Sequence, residues 1–454
     1  MPIRIVADDL TGAAEALLAF HQVGFGTLLE TTAGAEDGVD TVVARSLDLR
    51  DGDAGTVQAA FGQRVMPHPA FLAIDGLGGT PLPALLREAL GRGPARLALL
   101  ATAHPDRGWT TMGGYALRLG LPLGTDPRDP RPRSGPGEPH LPTALAAAGL
   151  RVWTLEWREL RRGPEAIATQ LLAAATAGAQ VIVADAASHD DLDQLALVAL
   201  GSPFPVLPVG TAGLAGAWAR ALGRRRGLAA GVRLAEGVAP ASVASVLDAS
   251  GLPDPRRIRR LLPGRRPVLA VCGSDHPATV AQATRAAGKA GPLLLDASAL
   301  LFDEGSGEAL PPAWQDAVNH ARGLLATGQD VVMATAGSTE DRERVLAWGR
   351  AAGLPGETVE ERLQQAVALV VRQLAEAHPL SGIVALGSRT AATAWRALPH
   401  RQAMIECAAE AGLPVLRLHP AGPRLVACRG SEGQPDTLVR TIDLLRRLDG
   451  LEKS

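Results

Sequence analysis

At 454 residues the chain is too long for one ordinary core, so two domains are the default expectation. A hydrophobic content of 46% with 20% charged residues is globular, and a net charge of −2 leaves no surplus of either sign to steer a nucleic acid. No apolar run reaches the roughly 20 residues that span a bilayer, and the N-terminus has neither a basic leader nor a cleavable apolar segment. A cytoplasmic protein with no membrane and no nucleic-acid partner is therefore expected.

Along the chain, short apolar runs alternate with longer helical patterns. In the first half "RIVA", "TVVA", "FLAID", "RLALLAT", "VIVADA" and "FPVLPVG" read as buried strands. The second half repeats the rhythm with "PVLAVCGS", "GPLLLDA", "DVVMATAGS", "GIVALGS" and "PRLVACRG". Near-continuous apolar strands separated by helices are the pattern of mostly parallel sheets covered on both faces. The expected fold is α/β with two domains, each a mostly parallel sheet flanked by helices. Basic, Pro- and Gly-rich sequence breaks the rhythm around residues 231–266, which reads as a connecting segment between domains at 1–230 and 267–454. Its arginines suit either phosphates or a solvated linker face. A second irregular stretch, Gly124 to Pro142, is too rich in proline for a helix or central strand and reads as a long functional loop.

Several chemistries are excluded by the residues available. The only lysines are Lys289 and Lys453, and there is no G-x-x-x-x-G-K-[ST] phosphate loop. Cys272, Cys407 and Cys428 form no C-x-x-C, so neither zinc nor a disulfide framework is indicated. No H-E-x-x-H, no G-x-S-x-G elbow and no G-x-G-x-x-G after a strand occurs.

What remains is concentrated where strands meet helices. In open parallel sheets ligands collect beyond the carboxyl ends of the strands. Four junctions share a strand, a small-residue turn and a helix: Gly210 to Gly213, Gly273–Ser274, Gly337–Ser338 and Gly387 to Thr390. Glycine admits a ligand close to the backbone, and the free N–H groups with the helix dipole favour an anion. The corresponding place near the N-terminus, "IVADDLTGAAE", carries Asp8 and Asp9. Asp9 or Thr11 could simply cap the helix. Alternatively one carboxylate caps while the other faces the crevice, to accept hydroxyl hydrogen bonds or act as a base. Asp75, ending "FLAID", is a third strand-end acid or merely a turn residue before Gly76.

Taken together, "ADDLTGAAE", "TDPRDPRPRS", "VIVADAASHDDL", "LPVGTAGLA" and "VLAVCGSDHPATVAQ" resemble, in order and across nearly the whole chain, the four-carbon acid sugar kinases, which include D-threonate, D-erythronate and 3-oxo-tetronate kinases. The resemblance implies an N-terminal domain for the sugar acid, a C-terminal domain for ATP, and transfer of the γ-phosphoryl group to a substrate hydroxyl in a cleft between them. Such transfer depends on positioning and charge neutralisation, with Mg2+ on the phosphates and a carboxylate receiving the proton. It further implies Asp8 and Asp9 as catalytic candidates and Asp75, Arg107, Thr110 and Thr111 as substrate contacts. Gly273, Ser274, Gly387, Ser388, Thr390, Arg429 and Gly430 would lie along the nucleotide. The expected cofactors are ATP and Mg2+, the partner a small molecule, with a homodimer left open.

The chain also departs from the family's patterns. Where the family has K-x-D-S-T-L-R-G-N, this chain has "AIDGLGGTP", with Ala73 for the lysine and Gly79 for the arginine. Its G-R-T-T is "GWTT", with Trp109 for the arginine and Arg107 displaced by two positions. Its K-x-G-G-F-G becomes "CRGSEGQPD", with Arg429 near the lysine's place. Charge-assisted hydrogen bonds contribute about 1.5–3 kcal/mol each, so losing cations predicts a less anionic substrate, or a non-catalytic relative that binds a metabolite or nucleotide.

Overall fold

The computed structural model describes residues 3–30, 41–47, 49, 57–58, 70–74, 81–123, 125, 139–228, 266–301, 309–410, 412–419 and 422–451. Asp75, Gly79, most of the proline-rich stretch and nearly all of the expected connecting segment lie outside the described residues. The chain divides into two compact units, residues 1–233 and 234–454.

In the first unit the strands are β1 (Ile3–Ala7), β2 (Gly26–Glu30), β3 (Thr41–Ser46), β4 (Phe71–Ala73), β5 (Leu97–Ala101), β6 (Trp109–Met112), β7 (Tyr115–Arg118), β8 (Leu121–Pro122), β9 (Val152–Leu155), β10 (Val181–Ala184) and β11 (Val206–Gly210). Eight of these form a parallel sheet in the order β2-β3-β1-β4-β11-β5-β10-β9, while β6, β7 and β8 make a small antiparallel sheet. From β1 the chain moves outward to β2, returns to β3 beside β1, and later places β4 on the other side. The strand order therefore reverses between β1 and β4, a topological switch point. Val6, Leu72, Leu100, Val183 and Val209 pack on one face with Leu85 and Leu86 of the helix Leu82–Arg92 and Leu145 of the helix Leu141–Ala147. Burying each such side chain stabilises the unit by about 1.5–3 kcal/mol. Pro142 sits in the first turn of its helix, where a missing N–H costs nothing, so the helix begins inside the stretch expected to be loop.

In the second unit the strands are β12 (Val268–Cys272), β13 (Gly291–Leu294), β14 (Val331–Ala334), β15 (Gly382–Leu386), β16 (Gln402–Glu410), β17 (Leu413–His419) and β18 (Arg424–Cys428). Their order is β13-β14-β12-β15-β18-β17-β16, parallel from β13 to β18 and antiparallel through β17 and β16. Here the reversal falls between β12 and β15. The eleven strands read from the sequence are all present. Of those not read, β2 and the β16–β17 pair carry little β-branched or aromatic character, whereas β9, "VWTL", has that character in only four residues and is half-exposed along most of its length.

No described helix is long and apolar enough to cross a membrane.

Candidate functional site

Register brings the carboxyl ends of the first unit's central strands level. Ala7 pairs with Ser46 and Ala73, Ala73 with Gly210, and Gly210 with Ala101. The residues that follow, Asp8, Thr211 and Thr102, therefore share one edge of the sheet. Asp9 is the N-cap of the helix Leu10–His21. Its Oδ1 accepts the Gly12 N–H at 2.6 Å and the Thr11 hydroxyl at 2.8 Å. Asp8 Oδ1 accepts the Asp9 N–H at 2.9 Å. Both acids are buried, and among the described residues Asp9 Oδ2 has no hydrogen-bond partner. The capping acid is thus also the one with an oxygen to offer.

Beyond β5 the chain turns through His104 and the short helix Pro105–Arg107 into β6. Arg107 directs Nη1 and Nη2 onto the two Glu15 oxygens, each at 3.1 Å, and Glu15 is buried in the helix Leu10–His21. Asp106 meets His189 Nε2 at 2.8 Å. Burial, chiefly, and then Arg107 lower the His104 pKa to about 4, with Glu15 and Asp106 opposing and His189 adding to the decrease. His104 is therefore neutral at physiological pH.

Thr111 is fully buried, its hydroxyl 2.8 Å from that of Thr102, and its backbone pairs with Ala186. Thr110 is half-buried on β6 beside Trp109, whose ring lies under the Arg118 guanidinium at 5.9 Å. Of the expected substrate contacts, Arg107 is held by Glu15 and Thr111 by Thr102, while Thr110 retains exposure. Asp185, in "VIVADA", is buried and accepts the N–H groups of Gly113, Gly114 and Trp157 at 2.8–3.0 Å, so it clamps the β6–β7 turn.

The second unit has a corresponding edge. Cys272, Leu386 and Cys428 are level across β12, β15 and β18, and Ala334 of β14 is level with Cys272. The ladder continues one step past the strands: the Gly273 N–H donates to Leu386 O at 3.1 Å and the Gly387 N–H to Cys428 O at 2.8 Å. The turns at Gly273–Ser274, Gly387–Ser388 and Arg429–Gly430 thereby stand side by side. They touch so closely that side chains are barred. A Cβ at Gly273 would collide with the Thr390 hydroxyl, and one at Gly430 with Ser274. Gly387 has φ +115°, which disfavours any other residue.

The segment after β18 is anchored by the helix Pro277–Ala287: Thr279 donates to Gly430 O and Gln282 to Glu432 O, both at 2.7 Å. Arg429 Nε lies 3.9 Å from Glu432. Gly273, Ser274, Gly387, Ser388, Thr390, Arg429 and Gly430, expected at a nucleotide, thus fall along one edge, and Thr390 and Ser388 are buried there.

Reading the sequence alone missed Glu15, Thr102 and His104. The signal for Glu15 was present, since a lone acid amid "LTGAAEALLAF" is a buried carboxylate in want of a partner.

Two doubly wound α/β units, one with acids and one with glycine turns at the switch point, define a two-domain α/β protein. Residues 79–218 match the model of a sugar-binding N-terminal domain and residues 269–438 that of a nucleotide-binding C-terminal domain. The chain is 25% identical to a D-threonate kinase of Salmonella typhimurium, covering 85% of this chain and 84% of the relative. It is 29% identical to a D-threonate kinase of Cupriavidus necator, over 72% and 73%. A crystal structure of a Salmonella typhimurium LT2 protein superposes with a TM-score of 0.70 at 18% identity, covering 97% of this chain and 98% of the other. One of a Haemophilus influenzae DUF1537 protein superposes at 0.64 and 15%, over 98% and 100%. The chain belongs to the four-carbon acid sugar kinase family.

Proposed function

We propose that the protein is an ATP-dependent kinase that phosphorylates a hydroxyl of a small sugar acid or related polyol, with substrate recognition altered from that of its relatives. The observation that carries this reading is the pair of switch-point edges: Asp8 and Asp9 in the unit matching a sugar-binding domain, and the Gly273, Gly387 and Gly430 turns in the unit matching a nucleotide-binding domain. The named activities of its relatives are D-threonate and D-erythronate kinases.

On this reading the Gly273 and Gly387 N–H groups, which donate to Leu386 O and Cys428 O, hold the turns in place, and the N–H groups that follow them at the helix N-termini bind the phosphates. Asp9 Oδ2, buried and without a hydrogen-bond partner, accepts a substrate hydroxyl and receives its proton. Asp8 orders the strand end by holding the Asp9 N–H. Magnesium would supply charge neutralisation on the phosphates. Asp275, half-buried and directly after the Gly273–Ser274 turn, has the carboxylate chemistry to share it. Arg107 faces the Glu15 carboxylate, so much of its charge is already answered, which favours a polyol or weakly anionic sugar over a carboxylate that needs several cations.

The same observation favours a second reading, a metabolite- or nucleotide-binding relative without catalysis, in which the neutralised Arg107 marks a decayed substrate site. Thermal unfolding with Mg-ATP, with ATP alone and with no nucleotide, followed by a screen of sugar acids and polyols for ADP release, separates the two. Magnesium-dependent stabilisation with turnover of at least one compound is expected. Stabilisation without turnover on any would select the binding protein, and no response at millimolar nucleotide would remove both nucleotide readings.

A further inference from the structure

The second unit carries a charged cluster that none of these roles uses. Arg342 lies in the helix Thr339–Ala351, Arg389 in the helix Ser388–Ala397, and Glu360 in the helix Gly356–Ala377, each within the first two turns. Glu360 Oε2 contacts Arg342 Nη2 and lies 3.7 Å from Arg389 Nη1, so one carboxylate stands between two guanidiniums. Arg342 is buried, and among the described residues Glu360 is its acid partner and its Nη1 has no acceptor. A buried guanidinium with an unanswered N–H is costly and calls for an explanation.

Position supplies one. The helices bearing Arg342 and Arg389 follow β14 and β15, the two neighbours of β12, so the starts of these helices fall on either side of the strand that ends at the Gly273–Ser274 turn, while both guanidiniums meet at the one Glu360 carboxylate. Arg389 directly precedes Thr390, whose hydroxyl packs against Gly273. On the other side Thr339 donates to Asp275 O at 2.9 Å, tying the Arg342 helix to the same turn. Helix N-termini favour anions, yet arginine is the side chain least suited to that end of the dipole. Two arginines in that place make sense when an anion arrives to meet them.

We propose that Arg342 and Arg389 form a phosphate-binding pair for the terminal phosphates of a nucleoside triphosphate, with Glu360 holding the guanidiniums in place while the site is empty. The inference rests on the nucleotide reading above and assigns its charge complement, in a chain whose only lysines are Lys289 and Lys453. Arginine suits the task because its planar fork binds phosphate through two N–H groups at once.

The test is calorimetric titration of the full chain with inorganic tripolyphosphate, ATP, AMP and adenosine, for wild type, Arg389→Gln, Arg342→Lys and Glu360→Gln. Arg389→Gln, at a half-exposed position, is expected to fold and to weaken tripolyphosphate and ATP on the order of tenfold or more, with adenosine unchanged. Glu360→Gln is expected to tighten tripolyphosphate by removing the competing carboxylate. A purely structural ion pair would instead lower the melting temperature of Glu360→Gln and leave every affinity as it was, which overturns the proposal. Wild type that binds ATP with no loss in Arg389→Gln or Arg342→Lys also overturns it, while the nucleotide reading stands. Arginine-dependent binding of tripolyphosphate without ATP binding would uphold the anion pair and remove the nucleotide reading. Binding of neither would remove both.

Discussion

Asparagine replaces aspartate at a helix N-cap with little loss, because its carbonyl oxygen accepts the same N–H, whereas it cannot replace the charge. Asp9 uses Oδ1 for the cap and leaves Oδ2 without a partner, so the two roles can be pulled apart by substitution. Asp9→Asn is expected to keep stability within about 0.5 kcal/mol and to abolish phosphoryl transfer, while Asp9→Ala should lose about 1 kcal/mol as well. Chemical denaturation alongside turnover checks this, and an Asn variant with undiminished turnover would remove Asp9 as the base. His104 invites a different measurement. Its folded pKa of about 4 lies below the usual 6.5, so between those values the unfolded chain binds more protons than the folded one. Stability from this residue is fully present above pH 6.5 and is lost as pH falls towards 4. The loss is on the order of 3 kcal/mol. His104→Gln should flatten that part of the stability–pH curve. A wild-type curve that is level from pH 6.5 to 4.5 would mean that the imidazole is not held neutral.

At the scale of elements, the cradle in the second unit is made by backbone, and its glycines are there because neighbouring turns leave no room for a Cβ. Gly273→Ala drives a methyl into the Thr390 hydroxyl, and such overpacking costs about 1–3 kcal/mol. It should also spoil nucleotide binding by prising the β12 and β15 turns apart. Thr390→Ala in the same chain removes the hydroxyl in the way and is expected to recover part of the stability, an interaction that a double-mutant cycle measures directly. Strict additivity of the two changes would mean that the turns do not touch. These junctions were legible before the structure because strand, small residue and helix follow one another within a few positions: "LAVCGS" and "IVALGS" announce themselves locally. The eleven parallel strands were legible for the same reason, since burial on both faces leaves an unbroken apolar run such as "LALLA". What joins distant segments was not. Nothing in "AHPDRGWTT" says that Arg107 meets Glu15, 92 positions away, or that Thr111 is spent on Thr102. The antiparallel β16 reads "QAMIECAAE", whose alanines and acids carry little strand propensity, and it is held in the sheet by pairing with β17.

At the scale of the molecule, the two units have separate cores, and a ligand stabilises first the elements that it touches. One core is built from residues such as Val6, Leu100 and Val209, the other from Val268, Val384 and Val426. Nucleotide at 100 times its dissociation constant adds about 2.7 kcal/mol to a protein that binds it only when folded. If the cradle is the site, that stabilisation should be concentrated in amides that open by local fluctuation around it, slowing their exchange by up to about 100-fold. Hydrogen exchange with and without Mg-ATP is therefore expected to protect residues 273–280, 387–393 and 429–433. Exchange in β9 and β10 of the first unit should stay unchanged. A sugar acid or polyol that is a substrate should give the complementary pattern, with protection near residues 8–13 and 102–111. Nucleotide protection centred on residues 8–13 instead would mean that the acids, and not the glycine turns, meet the phosphates, and its loss when the experiment is repeated with chelator would assign that contact to a bridging metal. Protection that survives chelator at the glycine turns would assign the affinity to the turns and the arginines beside them, because no metal is then left to carry the charge.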